Sequence, residues 1–233
     1  MKPTVLIFSC EHGGREIPEE YRHLFPKQEK LHSPSAVDTG SLEIAQYLSR
    51  ALNCDFTYTN ISRLIIDCNR SLTHRNCFSS YTHALPSAEK KKIIANYYLP
   101  FREKTRQIIQ RHIAESKQVL HLSIHTFAPE AKGVLRNAAI SILYDHRRHG
   151  EKEVARIWHE LLLAQSPRYR VRLNYPYRGD SNSFASELRQ ELGEKDYLGL
   201  ELEVNQALLQ DEKSFKEITE TIVYTLQELI RLL

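Results

Sequence analysis

Cysteine is scarce in this chain, with four in 233 residues, and tryptophan and methionine occur once each. Cys10, Cys54, Cys68 and Cys77 form no CxxC pair and no dense framework, which argues against a disulfide scaffold. Reduced thiols and a cytoplasmic location are the expectation. Long apolar runs are also missing. The first one, residues 4–9, is too short for a signal peptide or a membrane helix, and no later stretch approaches bilayer length. Nor is there an excess of one charge: 32 basic residues nearly balance 29 acidic ones, for a net charge of +3. Without a Lys/Arg block interleaved with aromatics, nucleic-acid binding is not expected. What remains, 41% hydrophobic and 26% charged, is the composition of an ordinary soluble globular protein.

The length allows one large α/β domain or two small ones. No repeat, low-complexity tract or linker divides it, so a single domain over 1–233 is expected. Apolar patterning predicts strands at residues 4–9, 55–59, 63–68, 119–124, 139–144, 170–173 and 197–204. Helical spacing predicts helices from about 38–40 to 52, over 88–116 with a bend at Pro100, and over 151–164, 184–192 and 212–233. Residues 71–86 read as a long polar loop. Strands alternating with helices imply an α/β fold, a mostly parallel or mixed sheet with helices on both faces.

Several predicted strands end in groups that a buried strand does not normally carry. The run Leu64-Ile65-Ile66 continues into Asp67, Asn69 and Arg70, residues 119–124 lead to His125, and the first strand delivers His12. Such groups cost desolvation unless they are paired or bind something. In open α/β sheets ligands sit beyond the carboxyl ends of strands, where Glu201 and Glu203 also fall. Two imidazoles and a carboxylate with an open fourth position are the arrangement of a catalytic zinc, but the spacing here is not HExxH, so the pattern alone does not establish a metal site. On the plainer side, His121 at the start of its strand reads as structural, Asp67 and Arg70 as a buried ion pair, and Glu89 to Lys92 as a solvated helix face. Cys10 and Cys68 read as small buried hydrophobes.

The ordered segments Val5 to Pro18, Val37-Asp38-Thr39-Gly40, Ser62 to Arg70, Ser123 to Pro129, Asn174-Tyr175-Pro176-Tyr177 and Leu200 to Gln206 resemble the motifs of the N-formylglutamate amidohydrolase family. The resemblance implies a fold akin to zinc carboxypeptidases and a Zn2+-activated water that attacks the amide of a small N-acyl amino acid. Carried over by position, it makes His12 and His125 zinc ligands, with Asp38 as the third and Glu16 as its alternative. Glu203 becomes the base, with Glu201 as the alternative. Arg63 polarises the scissile carbonyl or holds a second carboxylate, and Asn69 and Arg70 hold the substrate carboxylate. Asn174, Tyr177 and Asn205 complete the substrate contacts, Asn174 and Tyr177 equally readable as turn residues. The partner implied is a small carboxylate-bearing molecule, with no nucleic acid and no membrane; the oligomeric state is not legible. One departure is the lack of an arginine two residues beyond Glu203, where this chain has Asn205. A family member acting only as a metal- or ligand-binding module is the other reading.

Overall fold

The computed structural model describes residues 2–25 and 36–233. Six strands form the central sheet: β1 (Thr4–Cys10), β2 (Asp55–Tyr58), β3 (Gln118–Phe127), β6 (Ile140–Leu143), β7 (Val171–Leu173) and β8 (Tyr197–Asn205). Two short strands, β4 (Glu130–Ala131) and β5 (Val134–Leu135), pair as a separate hairpin. The sheet order is β2-β1-β3-β8-β6-β7. All neighbours run parallel except β6 and β8. The helices are α1 (Ser41–Leu52), α2 (Ser87–Ile93), α3 (Leu99–Ala114), α4 (His149–Gln165), α5 (Phe184–Glu191) and α6 (Glu212–Leu232). None of the described helices is long and apolar enough to cross a membrane.

β2 lies on one side of β1 and β3 on the other, so the chain leaves the carboxyl ends of β1 and β3 in opposite directions. That reversal opens a crevice at the strand ends. His12 follows β1 directly and His125 lies near the end of β3, which brings both to the crevice.

The two faces of the sheet differ sharply. Leu6, Phe8 and Cys10 of β1, Leu120, Leu122 and Ile124 of β3, and Leu198, Leu200, Leu202 and Val204 of β8 share one apolar face. They pack with α1, α4 and α6, including Trp158 and Ile222. Alternate residues project to the opposite face, where the buried polar side chains Ser9, His121, Ser123, His125, Glu201 and Glu203 follow Ile7, Val119 and Tyr197. Every residue of β8 is buried, so these polar groups do not face solvent. They lie beneath α3, α5 and the segment that follows β2, which also enclose the second core of Ile65, Phe101, Phe184 and Leu188.

Three predicted elements differ from the structure. Residues 63–68 form no strand: they run as turns, with Ile65, Ile66 and Cys68 buried. The carbonyls of Leu64 and Ile65 accept from Ser79 Oγ and Thr82 Oγ1, so hydroxyls of the polar loop replace a strand ladder. The helix predicted over 88–116 divides into α2, a π-helical turn (Ile94–Tyr98) and α3. Pro100 has no N–H to donate and crowds the preceding turn, which the wider winding relieves. The β4–β5 hairpin was not predicted, because two-residue strands leave no periodicity to detect.

Candidate active site

His12 and His125 stand with ring centroids 5.0 Å apart, and Asp38 reaches both. Asp38 Oδ2 lies 3.3 Å from His12 Nδ1 and 2.8 Å from His125 Nδ1. The three ligand atoms fall within 4.8 Å of one another, close enough to hold one metal ion. Asp38 is delivered by the loop before α1, its backbone N–H donating to the His12 carbonyl at 3.0 Å. The donor set of two imidazole nitrogens and one carboxylate oxygen, all buried, suits a divalent ion with an open position.

The outer nitrogen of each imidazole is held by another group. His12 Nε2 donates to Asp67 Oδ1 at 2.7 Å. His125 Nε2 donates to Ser123 Oγ at 2.8 Å, and Ser123 Oγ donates to Glu11 Oε2. Glu11 also accepts from Ser9 Oγ, which lies 2.7 Å from His121 Nε2. His121 Nδ1 meets the Tyr197 hydroxyl at 2.8 Å. A carboxylate behind each histidine, one direct and one through a hydroxyl, leaves both Nδ1 lone pairs for a metal.

Electrostatics follow from this packing in the metal-free protein. Burial disfavours a charged Asp38, but the charge and hydrogen bond of His12, the bond from His125 and the charge of Arg63 outweigh it and hold the carboxyl well below its usual range. Burial likewise opposes a charged His125. Its bond to Asp38, with the charges of Asp38, Glu11 and Glu203, overcomes this and lifts it to about 10. Burial pushes Glu203 up to about 8, opposed by His125 and reinforced by Asp38 and Glu201. Burial also carries His121 down to about 4.

Glu203 pairs in register with His125 across β3 and β8, and Glu201 with Ser123. Among the described residues, Glu203 Oε2 and Glu201 Oε1 are buried without a hydrogen-bond partner. Leaving a buried carboxylate oxygen unpaired costs roughly 1–3 kcal/mol or more, so both oxygens mark a place where a ligand belongs. Both residues line a cavity of about 720 Å³ together with His12, Asp38, Arg63, Asn69, Arg70, His125, Tyr177 and Arg136. That size suits a small-molecule site.

The remaining predicted residues divide between the cavity and the scaffold. Arg63 donates to Asp67 Oδ2 at 2.8 Å and to Asp38 Oδ1 at 3.4 Å. Asp67 therefore pairs with Arg63 and His12 and not with Arg70, against the plain ion-pair alternative for those two; Arg70 bonds the Asn182 carbonyl. Asn69 Oδ1 accepts from the Phe184 N–H at 2.8 Å, which leaves Nδ2 3.3 Å from His125 Nε2. Tyr177 lines the mouth and is 46% exposed.

Three of the candidate residues stand apart from the cluster. Glu16 pairs with Ile61 through its backbone and lines a separate depression with Arg15 and Tyr97, away from His12. Asn174 Oδ1 accepts from the N–H groups of Tyr144 and Gly179, so the side chain ties a turn. Asn205 spends its amide on the carbonyls of Arg136 and Ala138 and on the N–H of Ala207. Neither asparagine lines the cavity. Glu11, Ser123 and Arg136 were missed. The parity of Ser9, Glu11, His121, Ser123 and His125 in the sequence was the available signal for the first two; Arg136 carried none.

A family profile for N-formylglutamate amidohydrolases matches residues 4–210. The chain belongs to the N-formylglutamate amidohydrolase family. Among solved structures it is similar to a gene product of Agrobacterium tumefaciens, with 24% identity and a TM-score of 0.82 over 99% of this chain and 91% of that one. It is also similar to the N-formylglutamate amidohydrolase of Ralstonia eutropha, with 16% identity and a TM-score of 0.73 over 99% of this chain and 92% of that one. At these identities the structural likeness shows a shared fold. A search of curated protein sequences gives no match.

Proposed function

We propose that this protein is a metal-dependent hydrolase that cleaves the amide bond of a small N-acyl amino acid, with N-formylglutamate as the leading substrate. One observation carries the reading. A buried His12–Asp38–His125 cluster shares a cavity with Glu203, whose outer oxygen has no partner. Nitrogen and carboxylate donors favour zinc, and family membership supports amide hydrolysis.

Bound by His12, Asp38 and His125, the metal supplies a Lewis acid and lowers the pKa of a water. Glu203 takes the proton of the attacking water on Oε2 and returns it to the leaving nitrogen. In the metal-free protein burial lifts its carboxyl to about 8; beside the charge of a bound metal it ionises, and Oε2 is ready to take a proton at neutral pH. Asp67 and Asp38 fix Arg63, and its remaining N–H groups donate to the oxygen of the scissile carbonyl. Arg70 takes the α-carboxylate of the substrate, with Asn69 beside it. A planar guanidinium suits a carboxylate in two-point contact. Tyr177 closes the mouth of the cavity.

The test is a panel of N-formyl and N-acetyl amino acids given to the zinc-loaded protein, read by release of the free amine. The expected result is turnover that disappears when the α-carboxylate is capped as an amide. Tight ligand binding with no product from any member would favour a non-catalytic binding module instead.

A further inference from the structure

Four arginines line the cavity: Arg63, Arg70, Arg136 and Arg178. Their partners separate them into two pairs. Arg63 is neutralised by Asp67 and Asp38. Arg178 is neutralised by Asp180, through Nε at 3.0 Å and Nη2 at 2.9 Å. Arg70 donates to a backbone carbonyl, that of Asn182. Arg136 donates to the Tyr177 hydroxyl at 3.2 Å, and its guanidinium lies 5.3 Å from the centre of that ring. Among the described residues neither Arg70 nor Arg136 has a carboxylate partner. A cavity that presents two guanidinium groups with no carboxylate in ion-pair contact suits a ligand with two negative charges.

Arg136 is also held in place. Its N–H donates to the Pro129 carbonyl at 2.7 Å, and its carbonyl accepts from Asn205 Nδ2 at 3.1 Å. Asn205 stands at the end of β8, two residues beyond Glu203, so the strand that carries the base candidate also grips the segment that carries Arg136. The Tyr177 ring supports the guanidinium from a second direction. A guanidinium held against one ring and its hydroxyl still has other N–H groups for a carboxylate. The Arg136 charge also reaches Glu203, favouring its ionised form, which places the two on the same cavity.

We propose that Arg136 is the specificity-determining residue for an acidic side chain. It binds the second carboxylate of an N-acyl dicarboxylic amino acid, while Arg70 binds the first. This assignment rests on the hydrolase reading above. It replaces Arg63 in the role of second carboxylate holder, because Asp67 and Asp38 already occupy that guanidinium. Asn205 acts as a positioning residue through the Arg136 carbonyl.

The experiment compares N-formyl-L-glutamate with N-formyl-L-glutamine, a neutral substrate of nearly the same shape, on the zinc-loaded protein. kcat/KM is measured for wild type, Arg136→Met, Arg136→Lys and Arg70→Met. Wild type is expected to prefer the glutamate derivative. Arg136→Met is expected to cost that substrate at least about thirtyfold more than the glutamine derivative, as loss of a charge pair with its hydrogen bonds implies. Arg136→Lys should restore part of the preference, and Arg70→Met should lower both substrates together and leave the ratio in place. Equal losses on both substrates in Arg136→Met, or an unchanged preference, would overturn the assignment. If wild type turns over neither compound, the hydrolase reading fails on its own. Calorimetric binding of the same two compounds then decides Arg136: a preference lost in Arg136→Met sustains its role, and a preference retained refutes it.

Discussion

Raising the pH should tighten zinc binding, because the metal-free site holds protons that the metal must displace. His125 sits at about 10 and Glu203 at about 8 before metal enters, whereas Asp38 is already ionised. A ligand nitrogen protonated up to about 10 weakens metal binding at pH 7 by about a thousandfold, or ~4 kcal/mol, relative to a neutral imidazole. The sign is fixed: deprotonation favours the metal, so affinity climbs with pH. Below pH 8 the expected release approaches two protons, one from His125 and one from Glu203 as the metal charge ionises it. Above pH 8 it falls towards one. The assay is calorimetric zinc titration, with chelator competition, between pH 6 and 9 in buffers of different ionisation enthalpy. Zero proton release at pH 7 would refute the reasoning, since it would mean that His125 is neutral and not paired with Asp38 as an ion.

Other outcomes follow from the same geometry. Glu203→Gln should keep the metal and lose at least about a hundredfold in kcat, as removal of a general base implies; retained activity with Glu201→Gln inactive would exchange the two roles. Glu11→Gln should weaken zinc affinity by roughly 10- to 100-fold, the usual cost of a group that orients a ligand through a hydrogen bond, measured by chelator competition. In the metal-free protein both His125 and Glu203 are raised above their unfolded values. Their contributions to stability are therefore full at low pH and are lost as pH rises, Glu203 between about 4.5 and 8 and His125 between about 6.5 and 10. His121, carried down to about 4, works the other way up to about 6.5. Thermal melts should therefore show Tm nearly level from about pH 5 to 6.5 and falling from there to about pH 9, and Glu203→Gln should lessen the fall between about 6.5 and 8.

The sheet was legible in the sequence because its strands are apolar on at least one parity. Leu198, Leu200, Leu202 and Val204 mark β8, and Leu120, Leu122 and Ile124 mark β3, whatever the other face carries. The polar residues of the other parity at the strand ends point to a site in the sequence, and the structure buries them. That burial turns Glu11, Ser123 and His121 into one hydrogen-bonded network. His12, Asp38 and His125 were legible through ordered motifs, and the structure brings them together. Residues 63–68 were misread because apolar content does not reveal where backbone hydrogen bonds go; here Ser79 and Thr82 supply them. The sequence does not separate the roles of Asn174 and Asn205 for a related reason, since an asparagine that ties a turn and one that meets a ligand look alike in one dimension. Arg136 lay outside every motif, and only its place beside Tyr177 and the end of β8 distinguishes it.

The central claim is that His12, Asp38 and His125 hold a metal. Metal content of the purified protein, wild type beside His125→Ala, tests it most directly. The account predicts about one zinc per chain in the wild type, as a single catalytic site requires, and its loss in His125→Ala. A wild-type protein that carries no metal and takes up none from added zinc would contradict the account and leave both histidines as structural residues.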